Sequence, residues 1–328
     1  MGENTTTLPR GIIKSTTDSF VVQEINPDGS YVPLADETLV RPWDGESAVT
    51  VFEVTKEGWT TEDARRLVAR QLRTSLNCIG RLGLKDKHAL TSQRMWVEGR
   101  YYPFFRHDRV FLRHIGGAGR LAKHQGNHFS VLVLTDATSV PLKNVVRLPN
   151  FFGPQRMGAE GSERIGRFLF EGKFAEAVDA VMASPSRRQL EVAASVGKRS
   201  LQEALFHPEF AFSLEFALEK WQSVLWNTLF AQLVDDRGLE GVPAELPMWS
   251  SRPDIVELYR PFWCPPKLGA TTWASKLAPP FMRRTVIEPK NLSASPKPQG
   301  WELMFDLPPG VYATVLLSQL FQWEEVHR

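Results

Sequence analysis

Gly83-Leu84-Lys85-Asp86-Lys87-His88-Ala89-Leu90-Thr91-Ser92-Gln93 is the stretch on which the reading of this chain turns. One carboxylate, Asp86, sits between Lys85 and Lys87 and close to Gly83, which places it on a tight loop. Flanking ammonium groups favour the charged form of a carboxylate. That form is the one that works as a nucleophile or a base. The competing reading is a solvated turn, the usual setting of a charged run. The remaining sequence decides between them.

The chain has 328 residues, which suggests two domains. Hydrophobic residues make up 42% and charged residues 23%, as in a folded soluble protein with a sizeable core. The formal net charge is only +2, so affinity for nucleic acid must come from local clustering. No apolar run reaches the roughly 18 residues of a membrane span, and Met1 to Thr7 has no apolar core of a secretory leader. Cys78 and Cys264 are too few for a disulfide framework and suit a reduced, cytoplasmic setting. There is no His-Glu-x-x-His and no clustered Cys/His set, so no metal is expected. Without a GxxxxGK[ST] loop or a GxGxxG opening a helix, no nucleotide cofactor is indicated.

Working outward, residues 11–24 and 47–55 read as strands. Thr60 or Thr61 can cap a helix with Ala64, Leu67, Val68 and Leu72 on its inner face and Arg65, Arg66, Arg70 and Arg73 elsewhere. Residues 77–82 form a short strand feeding the Asp86 loop, residues 90–97 another, and residues 128–135 a central one. The composition shifts near Pro149. Ser162 to Ser184 looks helical, and Leu218, Trp221, Leu225, Leu229 and Leu233 form a helical core stripe. Residues 242–280 read as irregular, and strand-like alternation resumes over 284–306.

From Arg109 to Thr135 there is no acidic residue. The interval 106–124 holds Arg106, Arg109, Arg113, Arg120 and Lys123, with Tyr101, Tyr102, Phe104, Phe105 and Phe111 interleaved, and Gly116 to Gly119 reads as a flexible turn. Cations neutralise phosphates and aromatic rings hold unstacked bases. With the arginine-bearing helix, this composition suits an RNA-facing surface; a basic hairpin with no partner is the plain alternative.

Several segments, in order, resemble one family. Gly83 to Gln93 is similar to the G-x-K-D-[KR]-x-A-x-T-x-Q signature of the TruD family of tRNA pseudouridine synthases. Gly126-Asn127-His128-Phe129 resembles its G-N-x-F motif, and Pro149 to Gly158 its P-N-[YF]-F-G-x-Q-R-F-G motif. Lys14 with Phe20 to Glu24, Gln222 to Asn227, and Leu307 to Thr314 resemble three further elements. Met157 and Val311 depart from the pattern without removing a reactive group.

The resemblance implies an α+β fold: a pseudouridine synthase-like catalytic domain on a mixed, mostly antiparallel sheet, residues 1–149 and 281–328, and a reduced, helix-rich TRUD insertion over 150–280, with tRNA bound between them. It implies conversion of a tRNA uridine, position 13 in the D-arm, to pseudouridine, with no cofactor and no metal. The catalytic aspartate maps onto Asp86, either attacking the nucleoside or removing a ribose proton. Base-stacking and base-binding positions map onto Phe20, Asn127 and Tyr312, with Phe129 beside them. Lys14 and Lys85 are the candidates for keeping Asp86 ionised and meeting a phosphate. Arg113, Arg120, Lys123 and Arg156 are candidate RNA contacts. A monomer with a tRNA partner and no membrane is expected. The rival readings are a protein of this fold that binds RNA without catalysis or acts on a different RNA, and a hydrolase with an aspartate nucleophile, which calls for a second acid near Asp86 or a metal.

Overall fold

The computed structural model describes residues 8–34, 48–99, 101, 104–118, 123–153, 156, 163–183, 190, 194, 208–264 and 281–326. It divides into two compact units, Met1–Leu148 with Glu288–Arg328, and Pro149–Ile287. The strands in chain order are β1 Arg10–Ile13, β2 Phe20–Ile25, β3 Val49–Glu57, β4 Ile79–Arg81, β5 Leu90–Glu98, β6 Phe104–His107, β7 Val110–Ala118, β8 Gly126–Leu134, β9 Leu148–Pro149, β10 Glu245–Pro247, β11 Met282–Arg284, β12 Val286–Ile287, β13 Lys290–Lys297, β14 Gly300–Leu307 and β15 Gln322–Glu325. The α-helices whose bounds fall among the described residues are α1 Thr61–Leu72, α2 Glu163–Phe170, α3 Phe174–Met182, α4 Pro208–Arg237, α5 Pro253–Tyr259 and α6 Ala313–Leu317.

The first unit is a mixed α+β structure built on an eleven-stranded sheet, ordered β13-β14-β8-β2-β5-β3-β7-β6, with β4 on β5 and β1 joining β15 and β8. Among the described residues of this sheet, the β1–β15 and β2–β5 pairs are parallel and the others antiparallel. Alternation along each strand makes register decide which side chains share a face. Val22, Phe129 and Phe305 lie opposite one another across β2, β8 and β14, and so do Glu24, Asn127 and Leu307. Val22 also sits beside Thr91 of β5, which faces Lys56 of β3, while Gln93 faces Val54. One face of the sheet therefore carries a polar group, Glu24, Lys56, Thr91, Gln93 and Asn127, between two apolar fields. Helix α1 covers one of those fields, burying Ala64, Leu67 and Val68 against Phe52, Val54, Met95, Val97, Val110 and Leu112.

Local chemistry explains where the elements stop. Thr60 caps α1, its hydroxyl accepting the Asp63 N–H at 3.0 Å, and Arg73 ends it in a left-handed conformation. The strand expected over 11–24 is two strands, divided by Lys14 (φ 54°) and a 3-10 turn at Thr17–Ser19. The helix expected over 162–184 is interrupted at Gly172, whose φ of 71° lies in the region that favours glycine. The basic hairpin turns at Asp108 (φ 50°), not at the glycines: Gly116 and Gly117 are in β7, where an extra residue bulges between the partners of Val51 and Phe52. Gly119 lies outside the described residues. Within the segment expected to be irregular, β10 and α5 are ordered, and residues 265–280 lie outside the described set.

In the second unit, two of the sequence motifs meet. Asn227 on α4 accepts the Phe152 N–H at 2.9 Å and returns a bond to the Phe152 carbonyl at 3.0 Å. The buried Arg283 donates to the main-chain and side-chain oxygens of Asn150, at 3.0 and 2.9 Å, and lies 3.8 Å from the centre of the Phe152 ring. The Pro149–Gly153 and Gln222–Asn227 motifs are thus joined as a folding element. Asn227→Ala strands two main-chain groups of Phe152, and denaturant unfolding should show a loss of about 2 kcal/mol or more; a change below about 0.5 kcal/mol would contradict this role.

Candidate active site

The loop between β4 and β5 carries Asp86, and the polar group on the sheet face holds its main chain. Gln93 Nε2 donates to the Gly83 carbonyl at 3.2 Å, and the Lys85 N–H donates to Thr61 Oγ1 at 2.9 Å. Lys56 Nζ donates to the Asp86 carbonyl at 2.6 Å. Arg65 of α1 fixes the approach to the loop, donating to the carbonyls of Ile79 (2.6 Å) and Leu76 (3.0 Å). These bonds leave the Asp86 side chain 32% exposed while the main chain of the loop is anchored at Gly83, Lys85 and Asp86.

Lys14 faces the carboxylate. Its Nζ is 3.7 Å from Asp86 Oδ2, 2.9 Å from Glu325 Oε1 and 4.9 Å from the centre of the Phe20 ring. The parallel pairing of Ile13 with Glu325 places that second acid. Sequence reasoning missed Glu325, because β1 and β15 lie at opposite ends of the chain. It also missed Lys56, which reads in sequence as one more strand residue.

Lys85 turns the other way. Its Nζ lies 3.3 Å from Glu24 Oε2 and 2.7 Å from Asn127 Oδ1, and its side chain is 4% exposed. Its ammonium is thus engaged by a buried acid and an amide, and it also feels the charge of Asp86. Burial pushes its ammonium below the usual lysine value, against the pull of Glu24. Lysine offers donors only, so Asn127 must present its oxygen to Lys85, which leaves the amide N–H groups for another partner.

Phe20 is fully buried and Phe129 nearly so. Their rings meet edge to face at 6.2 Å, and Phe129 stacks on Phe305 at 5.2 Å. Phe20 lies beneath Lys14, and the three rings together form an apolar floor on this face of the sheet. Tyr312 is half-buried at the start of α6, after a turn at Gly310 (φ 77°). Arg113 is buried on β7 and bonded to Glu53 at 2.5 Å. Arg109 is likewise paired with Glu57, at 2.9 Å. Lys123 is exposed. Arg156 bonds to Glu219 at 2.6 Å and lies over Phe216. Arg120 lies outside the described residues. Among the described residues no cluster of three or more His, Cys, Asp or Glu could hold a metal, and no helix is long and apolar enough to cross a membrane.

Burial pulls the Lys56 ammonium down to about 8, with Lys85 adding to the fall and Asp86 opposing it. From about 8 to the ordinary 10.5, the unfolded chain holds a proton that the folded one has released. Stability contributed by Lys56 therefore rises with pH through that window, by at most about 3 kcal/mol. Melting temperatures of wild type and Lys56→Met, compared from pH 7 to pH 10, should diverge in favour of wild type as pH rises. A constant difference would contradict the burial of a charged Lys56.

The family described as tRNA pseudouridine synthase D (TruD) matches residues 5–207 of this chain. A Geobacter metallireducens protein named tRNA pseudouridine synthase D is 32% identical over 197 residues, 54% of this chain and 44% of that protein. A Sulfurimonas denitrificans protein of the same name is 30% identical over 196 residues, 55% of this chain and 50% of that one. The chain thus spans about half the length of these curated relatives. One from Pseudomonas syringae pv. syringae is 27% identical over 354 aligned positions, 95% of this chain and 92% of its own length. The fold is shared with a crystal structure from Methanosarcina mazei assigned the name tRNA pseudouridine synthase D, at a TM-score of 0.57 and 17% identity over 97% of this chain and 95% of the other. By the match of more than half its length, with the signature loop at its anchored site, this chain belongs to the TruD family.

Proposed function

We propose that the protein is a tRNA pseudouridine synthase in which Asp86 is the catalytic carboxylate. The observation that carries this is the Asp86 loop itself. A one-third exposed carboxylate stands 3.7 Å from a buried ammonium, on a backbone clamped by Lys56, Thr61 and Gln93. Such preorganisation is what a group acting at one defined ribose carbon needs. In the reaction the N1–C1′ bond of the uridine breaks, the uracil turns, and a C1′–C5 bond forms. C5 loses its proton and N1 gains one, so the product is an isomer and no oxidant or reductant is consumed. Asp86 serves by attack on the nucleoside or by removal of a ribose proton.

The uridine must leave its stack to reach this carboxylate. Asn127, its oxygen held by Lys85, offers N–H donors that suit a uracil carbonyl. Tyr312 is the aromatic ring proposed to stack on the base. Arg66, Arg70, Arg106 and Lys123, none of them buried, are proposed for the phosphates. The proposed target is the position-13 uridine of the D-arm in a cytoplasmic tRNA, with Pro149–Ile287 as the insertion unit.

Glu325 favours one other reading. A second carboxylate on the same ammonium is what a hydrolase would use, one acid on the ribose and one on water. Family membership weighs for the isomerase, and the products differ. Wild type and Asp86→Asn are incubated with an unmodified tRNA transcript, and pseudouridine and free uracil are quantified. Wild type should yield pseudouridine without uracil; Asp86→Asn should yield neither, while binding RNA within about threefold of wild type. Free uracil from wild type supports the hydrolase, and binding without either product supports an RNA-binding protein. Pseudouridine from Asp86→Asn would remove the catalytic assignment.

A further inference from the structure

Lys56 is 1% exposed, and its ammonium ends on the carbonyl oxygen of the very residue whose carboxylate is proposed to react. A buried lysine is costly unless its charge is used. A carbonyl as the bonded partner is unusual economy for such a charge, since Gln93 and Thr61 hold the same loop with neutral groups. The Lys56 bond reaches the main chain of Asp86 itself. Resting on the proposed role of Asp86, we infer that Lys56 in its ammonium form is a positioning residue for the reaction, fixing the Asp86 peptide so that the carboxylate meets the ribose in one orientation.

The surroundings make the clamp sensitive to pH. The charged groups around Lys56 are Asp86 and Lys85 on the loop, with Lys14 beyond Asp86 and Glu24 beyond Lys85. On the sheet its neighbours across β3 are Thr91 and Val110, which do not titrate. Burial brings its ionisation down to about 8, inside the range an enzyme assay can cover. A charge-assisted bond to the carbonyl is roughly twice as strong as a neutral one. As pH rises past that point, the clamp weakens and the loop loosens, although the fold gains stability.

The test compares wild type, Lys56→Met and Lys56→Arg in steady-state pseudouridine formation on a tRNA transcript from pH 6.5 to 9.5, with hydrogen exchange of the residue 84–88 amides. In wild type kcat should fall on the alkaline side with an apparent midpoint near 8. Lys56→Met should lose about 100-fold in kcat with little change in KM and show no such limb, as expected for a small misplacement of the reacting group. Lys56→Arg, charged throughout, should keep substantial activity and a flat alkaline profile. Exchange at 84–88 should quicken about tenfold in Lys56→Met, and in wild type between pH 7 and 9.5 after correction for intrinsic rates. The inference is overturned if Lys56→Met keeps kcat within about threefold, or if the wild-type limb persists in Lys56→Arg. It is also overturned if loop exchange is unchanged. Should Lys56→Met not fold, the Lys56→Arg profile still decides. Should wild type form no pseudouridine, the activity reading falls, and the exchange measurement alone decides whether Lys56 orders the loop.

Discussion

Three buried lysines surround one half-open carboxylate, and their separate engagements are the constraint on which the site depends. Lys14 meets the carboxylate, Lys56 holds its peptide, and Lys85 turns away to Glu24 and Asn127. Cations this close repel one another, so each must have its own acceptor. The arrangement gives Lys14 a second acid in Glu325, Lys56 a carbonyl, and Lys85 a buried carboxylate and an amide. The outcome is a carboxylate whose loop is held from behind and whose side chain remains one-third exposed.

Sheet register makes this arrangement possible. A one-residue slip of β2, β5 or β8 would exchange Glu24, Gln93 or Asn127 for a neighbour on the opposite face. That face carries different chemistry: His128 and Asp306 bond at 2.7 Å, Tyr31 stacks on His128, and Asn291 donates to Asp306. The apolar fields on either side, under α1 and along β2, β8 and β14, fix the register through burial. Polar residues between them stay aligned because their apolar neighbours cannot move.

Much of this was legible in the sequence, and for identifiable reasons. The Asp86 loop announced itself by charge and glycine, and α1 by its apolar spacing and Thr60. The family resemblance supplied Asn127, which the structure ties to the Asp86 loop through Lys85. Two kinds of gap remain. Residue type does not tell which face of a strand is buried, so the burial of Arg113, Phe20 and Phe129 is not legible from the sequence. Long-range pairing is invisible along the chain, so the approach of Glu325 to Lys14 and of Lys56 to residue 86 could not be read. Lys56 follows six buried residues of β3, and nothing in its sequence neighbours signals what its ammonium bonds to.

The most direct test of the central claim is a nucleotide-resolved map of pseudouridine in total tRNA from cells that carry the gene and from cells that lack it. The account predicts that one uridine, in the D-arm, loses its modification when the gene is removed and regains it when the wild-type gene is returned. An unchanged map, with every pseudouridine still in place, would contradict it.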